Sequence, residues 1–439
     1  MFKKIHNIVF KANKNEIIKK SFIVMFLKAI GILLGYTFTL LLTKRFGATG
    51  YGIYNITYSS IIVFGHFASF GLSTSILRFM GQYAKKEKEY ERKRLYFHAL
   101  KLILTASFVL SFLLYFFAEE IALNIFKDAS YKEILKSVSF IAPFFTINLI
   151  NVEYLRGLQK IKLSEIFRTI LIPLICVLIL LVFPKTTDIK IPIYALGFTI
   201  ISIAFISITI ILTKTSHIKK TVQKELKFSK LVKTSIPMMV ITISSYFTGN
   251  LSIYIIQIVL STFYVGIFSL CLKLSFFISF ILIGVNTVLA PKLSELFWAN
   301  KKQELSNIIL TNSKFIFWLS FPVFLVIVLF SNQLLAFFGE EFTEGKYVLI
   351  VLALGQFINA TCGSVGVLLN MTGNQKSLMH VTIIIGLTAI VLNIVLIQIY
   401  GLIGAAIATT VCLSLQNIIL VIIAKKKLNI NTLYLPFIS

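Results

Sequence analysis

The sequence predicts an all-α integral membrane protein. Twelve transmembrane helices form two six-helix lobes, related by a pseudo-two-fold axis along the membrane normal. Three observations lead there. Of 439 residues, 57% are hydrophobic and 14% charged, and the mean hydropathy is +0.89, whereas a soluble chain is roughly 45–50% apolar and ~25% charged. The apolar residues fall in runs of the ~20 residues that one span needs. The basic residues between the runs are dense in every second loop, which is how membrane proteins mark their cytoplasmic side.

Read in order, the runs place helices near 21–43, 51–79, 95–118, 134–156, 163–183, 191–213, 231–257, 264–291, 307–331, 347–371, 377–399 and 401–424. They are preceded by a basic segment, 1–20, with Lys3, Lys4, Lys11, Lys14, Lys19 and Lys20. The apolar run that follows is too long for the core of a cleavable signal, so no signal peptide is expected. The division is an N-lobe at 21–213, a basic inter-lobe loop at 214–230, a C-lobe at 231–424 and a tail at 425–439. The termini and alternate loops hold 30 Lys/Arg; the opposite loops hold seven, Lys44, Arg45, Lys127, Lys132, Lys185, Lys190 and Lys346; six sit within helices. Both termini are therefore expected in the cytoplasm of a cell-membrane protein. The net charge of +26 is explained by this topology and by anionic lipid headgroups, with no nucleic-acid partner.

The two lobes repeat. Gly157-Leu158-Gln159-Lys160 returns as Gly373-Asn374-Gln375-Lys376, and Gly52-Ile53-Tyr54 as Gly266-Ile267-Phe268. Lys101 answers to Lys314, and Ser21 and Met25 to Ser235 and Met239, all at offsets of 213–216. An even number of helices per copy gives both copies one orientation, and the substrate site of such a transporter is expected between them.

Charges at membrane depth are costly and usually face a cavity. Lys273 lies nine residues past Tyr264, roughly 14 Å deep at ~1.5 Å per residue, too deep to snorkel fully. Lys28 lies shallower, on a face continued by Gly31, Gly35 and Thr39, where Gly31 and Gly35 also suit close helix packing. Lys101 and Lys314 are shallow enough to reach the interface. Helix 2 carries a polar stripe of Tyr51, Asn55, Ser59, His66, Ser69 and Ser73, and helix 7 one of Thr242, Tyr246, Asn250, Tyr254 and Gln257. Spacings of three, four and seven put each stripe on one face, which fits either a wet cavity or helix–helix hydrogen bonding. The candidate substrate-binding set is Lys28, Asn55, His66, Tyr246, Asn250, Tyr254 and Lys273. Two lysines favour an anionic substrate. Pro143, Pro173, Pro237 and Pro322 can kink their helices.

No nucleophile, zinc or phosphate-loop motif of an enzyme is present, and no metal site or cofactor is expected. Glu153 and Arg156, three apart, read as a local ion pair at the inner end of helix 4. The cysteines Cys176, Cys271, Cys362 and Cys412 lie in apolar runs and read as buried free thiols.

Phe46-Gly47-Ala48-Thr49-Gly50-Tyr51-Gly52-Ile53-Tyr54, together with Gly401-Leu402-Ile403-Gly404-Ala405-Ala406-Ile407-Ala408-Thr409 and the Lys425-Lys426-Lys427 tail, resembles the polysaccharide-biosynthesis, or oligosaccharide flippase, family. That family is part of the multidrug/oligosaccharidyl-lipid/polysaccharide (MOP) exporter superfamily, whose fold is MATE-like. The resemblance implies alternating access and movement of a polyprenyl-diphosphate-linked oligosaccharide from the inner to the outer leaflet, for surface polysaccharides such as lipopolysaccharide or capsule. Lipid-linked oligosaccharide and membrane lipid are the implied partners, with a glycan polymerase or glycosyltransferases of the same pathway. The chief alternative is a multidrug cation antiporter of the superfamily. It needs a buried acid, yet Asp128 and Asp188 lie in outer loops and no Glu sits at mid-membrane. A membrane enzyme would need larger outer loops than these, and a scaffold has no use for a mid-membrane lysine.

The charge asymmetry makes a direct prediction. Cysteines placed at Lys88 and Lys224 are shielded from membrane-impermeant thiol reagents in intact cells, and one placed at Glu341 is labelled. Labelling at Lys88 and Lys224 reverses the orientation.

Overall fold

The computed structural model describes residues 2–82, 89–183, 188–218, 228–434 and 436; the side chains of 2–22 and many of those in 228–249 lie outside the description. The middle of the 214–230 loop, the Lys-rich positions near 85 and the basic character of the first twenty side chains therefore lie outside the described residues. Everything described is helix, turn or loop, with no strand among the described residues. In hydrocarbon a backbone N–H finds no water, so the chain meets its own hydrogen bonds within helices.

The helices are α1 Phe2–Ala68, α2 Leu72–Gln82, α3 Glu89–Phe116, α4 Ala118–Asn124, α5 Tyr131–Gly157, α6 Ile161–Glu165, α7 Leu171–Val182 and α8 Ile191–Thr215. A π turn, Ile166–Ile170, joins α6 to α7. Then follow α9 Phe228–Val259, α10 Thr262–Trp298, α11 Lys302–Leu329, α12 Ser331–Ala336, α13 Lys346–Thr361, α14 Val365–Met371 and α15 Gln375–Leu428.

Among the described residues, eight helices are long and apolar enough to cross a membrane, or nine if the bent pair 340–371 is one span. This multi-pass architecture is the one expected; the difference from twelve has local causes. Two of the eight, Ile23–Ala68 and Gln375–Leu428, run to 46 and 54 residues, about twice what a ~30 Å core accepts. Each contains a glycine with positive φ, Gly47 at 65° and Gly401 at 57°. The helix is broken there, at the two glycine motifs singled out above. In α9 the described apolar stretch is Asn250–Val259, because much of its first half lies outside the described side chains. Further breaks fall at Gly71 (φ 69°) and Gly363 (φ 66°), inside the helices expected over 51–79 and 347–371.

The chain forms two compact units. The first is 1–46 with 53–243; the second is 47–52 with 244–439. In the first, α5 packs against α2, α3 and α8. Its core includes Ile76, Tyr96, Tyr154, Phe167 and Ile203, and the rings of Tyr96 and Tyr154 lie 4.5 Å apart. Polar side chains bind these helices together: Tyr96 Oη donates to Asn151 Oδ1 at 2.8 Å and Asn151 Nδ2 to Ser207 Oγ at 2.7 Å. In the second, α10, α11 and α15 gather around α13. Ser252 Oγ donates to Asn393 Oδ1 at 2.7 Å, and Ser279 Oγ to Gln356 Oε1 at 2.5 Å. All four cysteines are buried and free, and Lys101 and Lys314 are exposed, as expected.

The Gly47 break is held in the second unit. The Ala48 N–H, an orphan donor where the helix restarts, donates to Glu341 Oε1 at 2.6 Å. Glu341 belongs to a 3-10 turn, Glu340–Gly345. A Cβ on Gly52 would strike the Thr262 carbonyl, and one on Gly266 the Ala48 carbonyl. The two glycines matched by the repeat are thus those that let the α10 backbone touch this segment. Glu344, exposed in the same 3-10 turn, is a better labelling position on the side expected outside than the engaged Glu341.

Glu341→Ala leaves the Ala48 donor unsatisfied at a cost of ~1–3 kcal/mol. Thermal unfolding in detergent is expected several degrees below the parent for Glu341→Ala and Gly266→Val, with Glu341→Gln near it. A parental midpoint for Glu341→Ala contradicts this role.

Candidate functional site

The expected site residues divide between the two units. Lys28, Asn55 and His66 belong to the first; Tyr246, Asn250, Tyr254 and Lys273 to the second. Within the second, Asn250 Nδ2 donates to the Tyr246 carbonyl one turn earlier, at 3.1 Å. Tyr254 is half-buried and Gln257 buried, and Gln257 Oε1 has no hydrogen-bond partner. Lys273 is half-buried in α10, with Cys271, Leu272, Leu274 and Ser275 buried around it. It lies eleven residues past Thr262, roughly 16 Å along the helix.

In the first unit, Lys28 is half-buried one turn before Gly31. A Cβ on Gly31 would come within 2.6 Å of the Thr169 carbonyl, so this glycine seats α1 on the π turn. The helix 2 stripe is partly packing and partly cavity. Tyr51, Ser59 and Ser69 are buried; Tyr51, which belongs with 47–52 to the second unit, sets its ring 6.4 Å from Phe342 of that same unit. Ser69 Oγ donates to the His66 carbonyl at 2.9 Å, one residue from the break at Phe70 and Gly71. His66 and Ser73 instead reach a cavity.

That cavity, of about 260 Å³, is lined by Tyr58, His66 and Ser73, by Phe145, Asn148, Leu149, Val152 and Glu153 of α5, by Phe167 and Arg168 of the π turn, and by Ile172 and Ile203. Arg168 donates to Glu153 Oε1. Arg156 stands 3.8 Å from Glu153 Oε2. The sequence pairs Glu153 with Arg156 through their spacing; the structure gives the carboxylate a second, closer guanidinium. Arg168 is one of the six basic residues within helices, and only the wide π turn, which redirects side chains and recurs at functional sites, aims it at α5. Asn148 is buried; its Nδ2 donates to the Ile200 carbonyl at 3.0 Å, while Oδ1 has no hydrogen-bond partner.

A second cavity of the first unit, about 490 Å³, lies among the loops expected outside and is lined by Ser130, Glu133, Ser137, Asp188, Lys190 and Tyr194, among others. Lys190 Nζ donates to Glu133 Oε2 at 3.2 Å, which raises the Lys190 pKa above the usual lysine value. Nearby, the Lys132 ammonium at 2.5 Å lowers the Glu119 pKa. Among the described residues no group of three His, Cys, Asp or Glu could hold a metal ion.

A family model described as "Polysaccharide biosynthesis protein" matches residues 17–297, and one described as MatE matches 235–399. A curated relative, "Probable low-salt glycan biosynthesis flippase Agl15" of Haloferax volcanii, is 26% identical over 179 residues. That match takes in 40% of this chain and 38% of the relative, so it spans under two thirds of the relative's length. Among solved structures, one described as lipid II flippase MurJ in an inward closed conformation is similar with a TM-score of 0.72. It is 19% identical, and the match covers 93% of this chain and 87% of that one. An inward-facing MATE-family multidrug transporter of the MOP superfamily has a TM-score of 0.73 at 11% identity, over 93% and 98% of the two chains. These likenesses show a MOP-type fold.

The cavity of the first unit is open to test. With the native thiols replaced, a cysteine at His66 is expected to react readily with a small hydrophilic thiol reagent, and one at the buried Ser59 at least tenfold more slowly. Equal rates deny the cavity.

Proposed function

Since the match over 17–297 makes this chain a member of the polysaccharide biosynthesis protein family, we propose that it is a flippase. It moves a polyprenyl-diphosphate-linked oligosaccharide from the inner to the outer leaflet by alternating access. The family membership is the observation that carries the reading, and the half-buried lysine deep in α10 supports it. A diphosphate bears about two negative charges, and placing them in hydrocarbon without partners is prohibitive. Lys273 supplies a compact cation, and Lys28 a second one nearer the membrane face. Asn55, His66, Tyr246, Asn250 and Tyr254 supply hydrogen bonds in place of water. The polyprenyl tail stays in the bilayer, so only the headgroup needs a polar route.

In this reading the protein sits in the cell membrane with both termini cytoplasmic. Its cargo comes from glycosyltransferases on the inner side and passes to a polymerase or transferase on the outer side. The twelve-span count and the lobe boundaries at 213 and 231 belong to the same proposal.

The MatE match over 235–399 favours one other reading, a multidrug cation antiporter. That chemistry needs a carboxylate able to exchange a cation for a proton or sodium ion. Among the described residues, Glu153 lines a cavity but is engaged by Arg168 and faces Arg156, a poor setting for a cationic drug.

Deleting the gene is expected to accumulate lipid-linked oligosaccharide on the cytoplasmic leaflet without changing drug resistance. Lys273→Ala is expected to fail to complement the deletion while remaining in the membrane, Lys273→Arg to complement in part, and Lys28→Ala to be milder. Full complementation by Lys273→Ala removes Lys273 from the site. Unchanged lipid-linked pools with new sensitivity to cationic dyes support the antiporter.

A further inference from the structure

The ion pair of the first unit is built unlike a structural staple. Glu153 and Arg168 both line a cavity, and their side chains are 17% and 35% exposed. Glu153 spends Oε1 on Arg168, while Oε2 has no hydrogen-bond partner and lies 3.8 Å from Arg156. Glu153 thus faces two guanidiniums, Arg168 in contact and Arg156 at 3.8 Å. The cavity therefore holds a guanidinium whose counter-ion has a second partner close by, among polar side chains, Tyr58, His66, Ser73 and Asn148, that can meet an incoming anion. The cavity of about 260 Å³ is smaller than a drug site of ~300–1,000 Å³, so it suits a headgroup fragment.

The local geometry says which anion. A guanidinium presents a planar fork that fits carboxylate and phosphate oxygens alike. Glu153 Oε1 therefore occupies on Arg168 a place that a phosphate oxygen can take. Arg156, 3.8 Å from the other carboxylate oxygen, offers Glu153 a second partner when Arg168 is taken. Asn148 Oδ1, buried, lacking a partner and lining the same cavity, can accept a hydroxyl of the headgroup. The position agrees. Glu153 and Arg156 lie in the last turns of α5, and Arg168 stands seven residues past the start of α6; Leu158–Lys160 alone separates the two helices. This is the end of the unit that the basic residues Lys160 and Lys162 mark as cytoplasmic.

We propose that Arg168 is an exchangeable anion-binding residue: Glu153 holds it in the empty protein, and a phosphate of the lipid-linked substrate displaces the carboxylate, which moves to Arg156. No covalent bond is made or broken: a phosphate–Arg168 pair and a Glu153–Arg156 pair replace the Glu153–Arg168 pair, so the displaced carboxylate keeps a guanidinium partner. The inference rests on the flippase reading and extends it to a headgroup subsite entered from the cytoplasmic side.

Farnesyl diphosphate, a short polyprenyl diphosphate, is the probe, with farnesol as the uncharged control; affinities are measured on the full-length protein in detergent. Glu153→Gln removes the resident competitor and is expected to bind about tenfold more tightly. Arg168→Gln is expected to bind at least about tenfold more weakly, and Arg168→Lys, which keeps the charge without the fork, to fall between. Thermal midpoints identify any variant that does not fold; if Arg168→Gln fails, Arg168→Lys and Glu153→Gln still decide. A structural staple predicts the opposite for Glu153→Gln, a lower midpoint with no gain in affinity, and that result overturns the proposal. If all three variants bind like the parent while Lys273→Ala binds less, this subsite is wrong and the flippase reading stands. If the parent binds farnesyl diphosphate no better than farnesol, both readings fall.

Discussion

The hydrocarbon interior offers no partner to a polar group, and this constraint shapes every part of the molecule. It puts the backbone into helices. It also makes each interruption of a helix expensive, so the breaks are few and provided for. At Gly47 the freed Ala48 donor is taken by the Glu341 carboxylate. At the π turn Ile166–Ile170 the Thr169 hydroxyl donates back to the Glu165 carbonyl at 2.8 Å. Polar side chains obey the same rule. Asn151 ties α3 to α8 through Tyr96 and Ser207, and Ser252 ties α9 to α15 through Asn393. Such bonds supply the association energy that hydrophobic burial cannot provide inside a membrane.

Charged groups escape the constraint in two ways. Lys101 and Lys314 are exposed, and their aliphatic stems are long enough for the ammonium groups to snorkel. Glu153 and Arg168 neutralise one another beside a cavity. Lys273 lies half-buried about three turns into α10. In the proposed function this cation meets the anionic headgroup on its way across.

Much of the fold was legible because the signals are local. Hydropathy marks spans whatever they pack against, and the glycines of Phe46–Tyr54 and Gly401–Thr409 mark where two spans join, as Gly47 and Gly401 confirm by their positive φ. The breaks at Gly71 and Gly363 were not read, since a single glycine in an apolar run is more often tolerated than used as a hinge. The site was legible only in part. The stripe of helix 2 could be seen, but which of its members pack and which line a cavity depends on neighbours: Tyr51 is buried against Phe342, while His66 and the buried Ser73 line a cavity. Arg168 was missed as a partner of Glu153, because they lie fifteen residues apart and meet only through the turn at Leu158 and the π turn. The i,i+3 spacing pointed to Arg156 alone.

The account turns on movement of a lipid-linked diphosphate headgroup across the bilayer. The most direct measurement reconstitutes the purified protein in vesicles carrying a fluorescent polyprenyl-diphosphate-linked saccharide on both leaflets, then quenches the outer label. Vesicles with the protein are expected to lose nearly all of the label, because inner-leaflet lipid is brought out, while empty vesicles and vesicles with Lys273→Ala lose about half. Loss of only half with the active protein, together with uptake of a cationic dye by the same vesicles, contradicts the account.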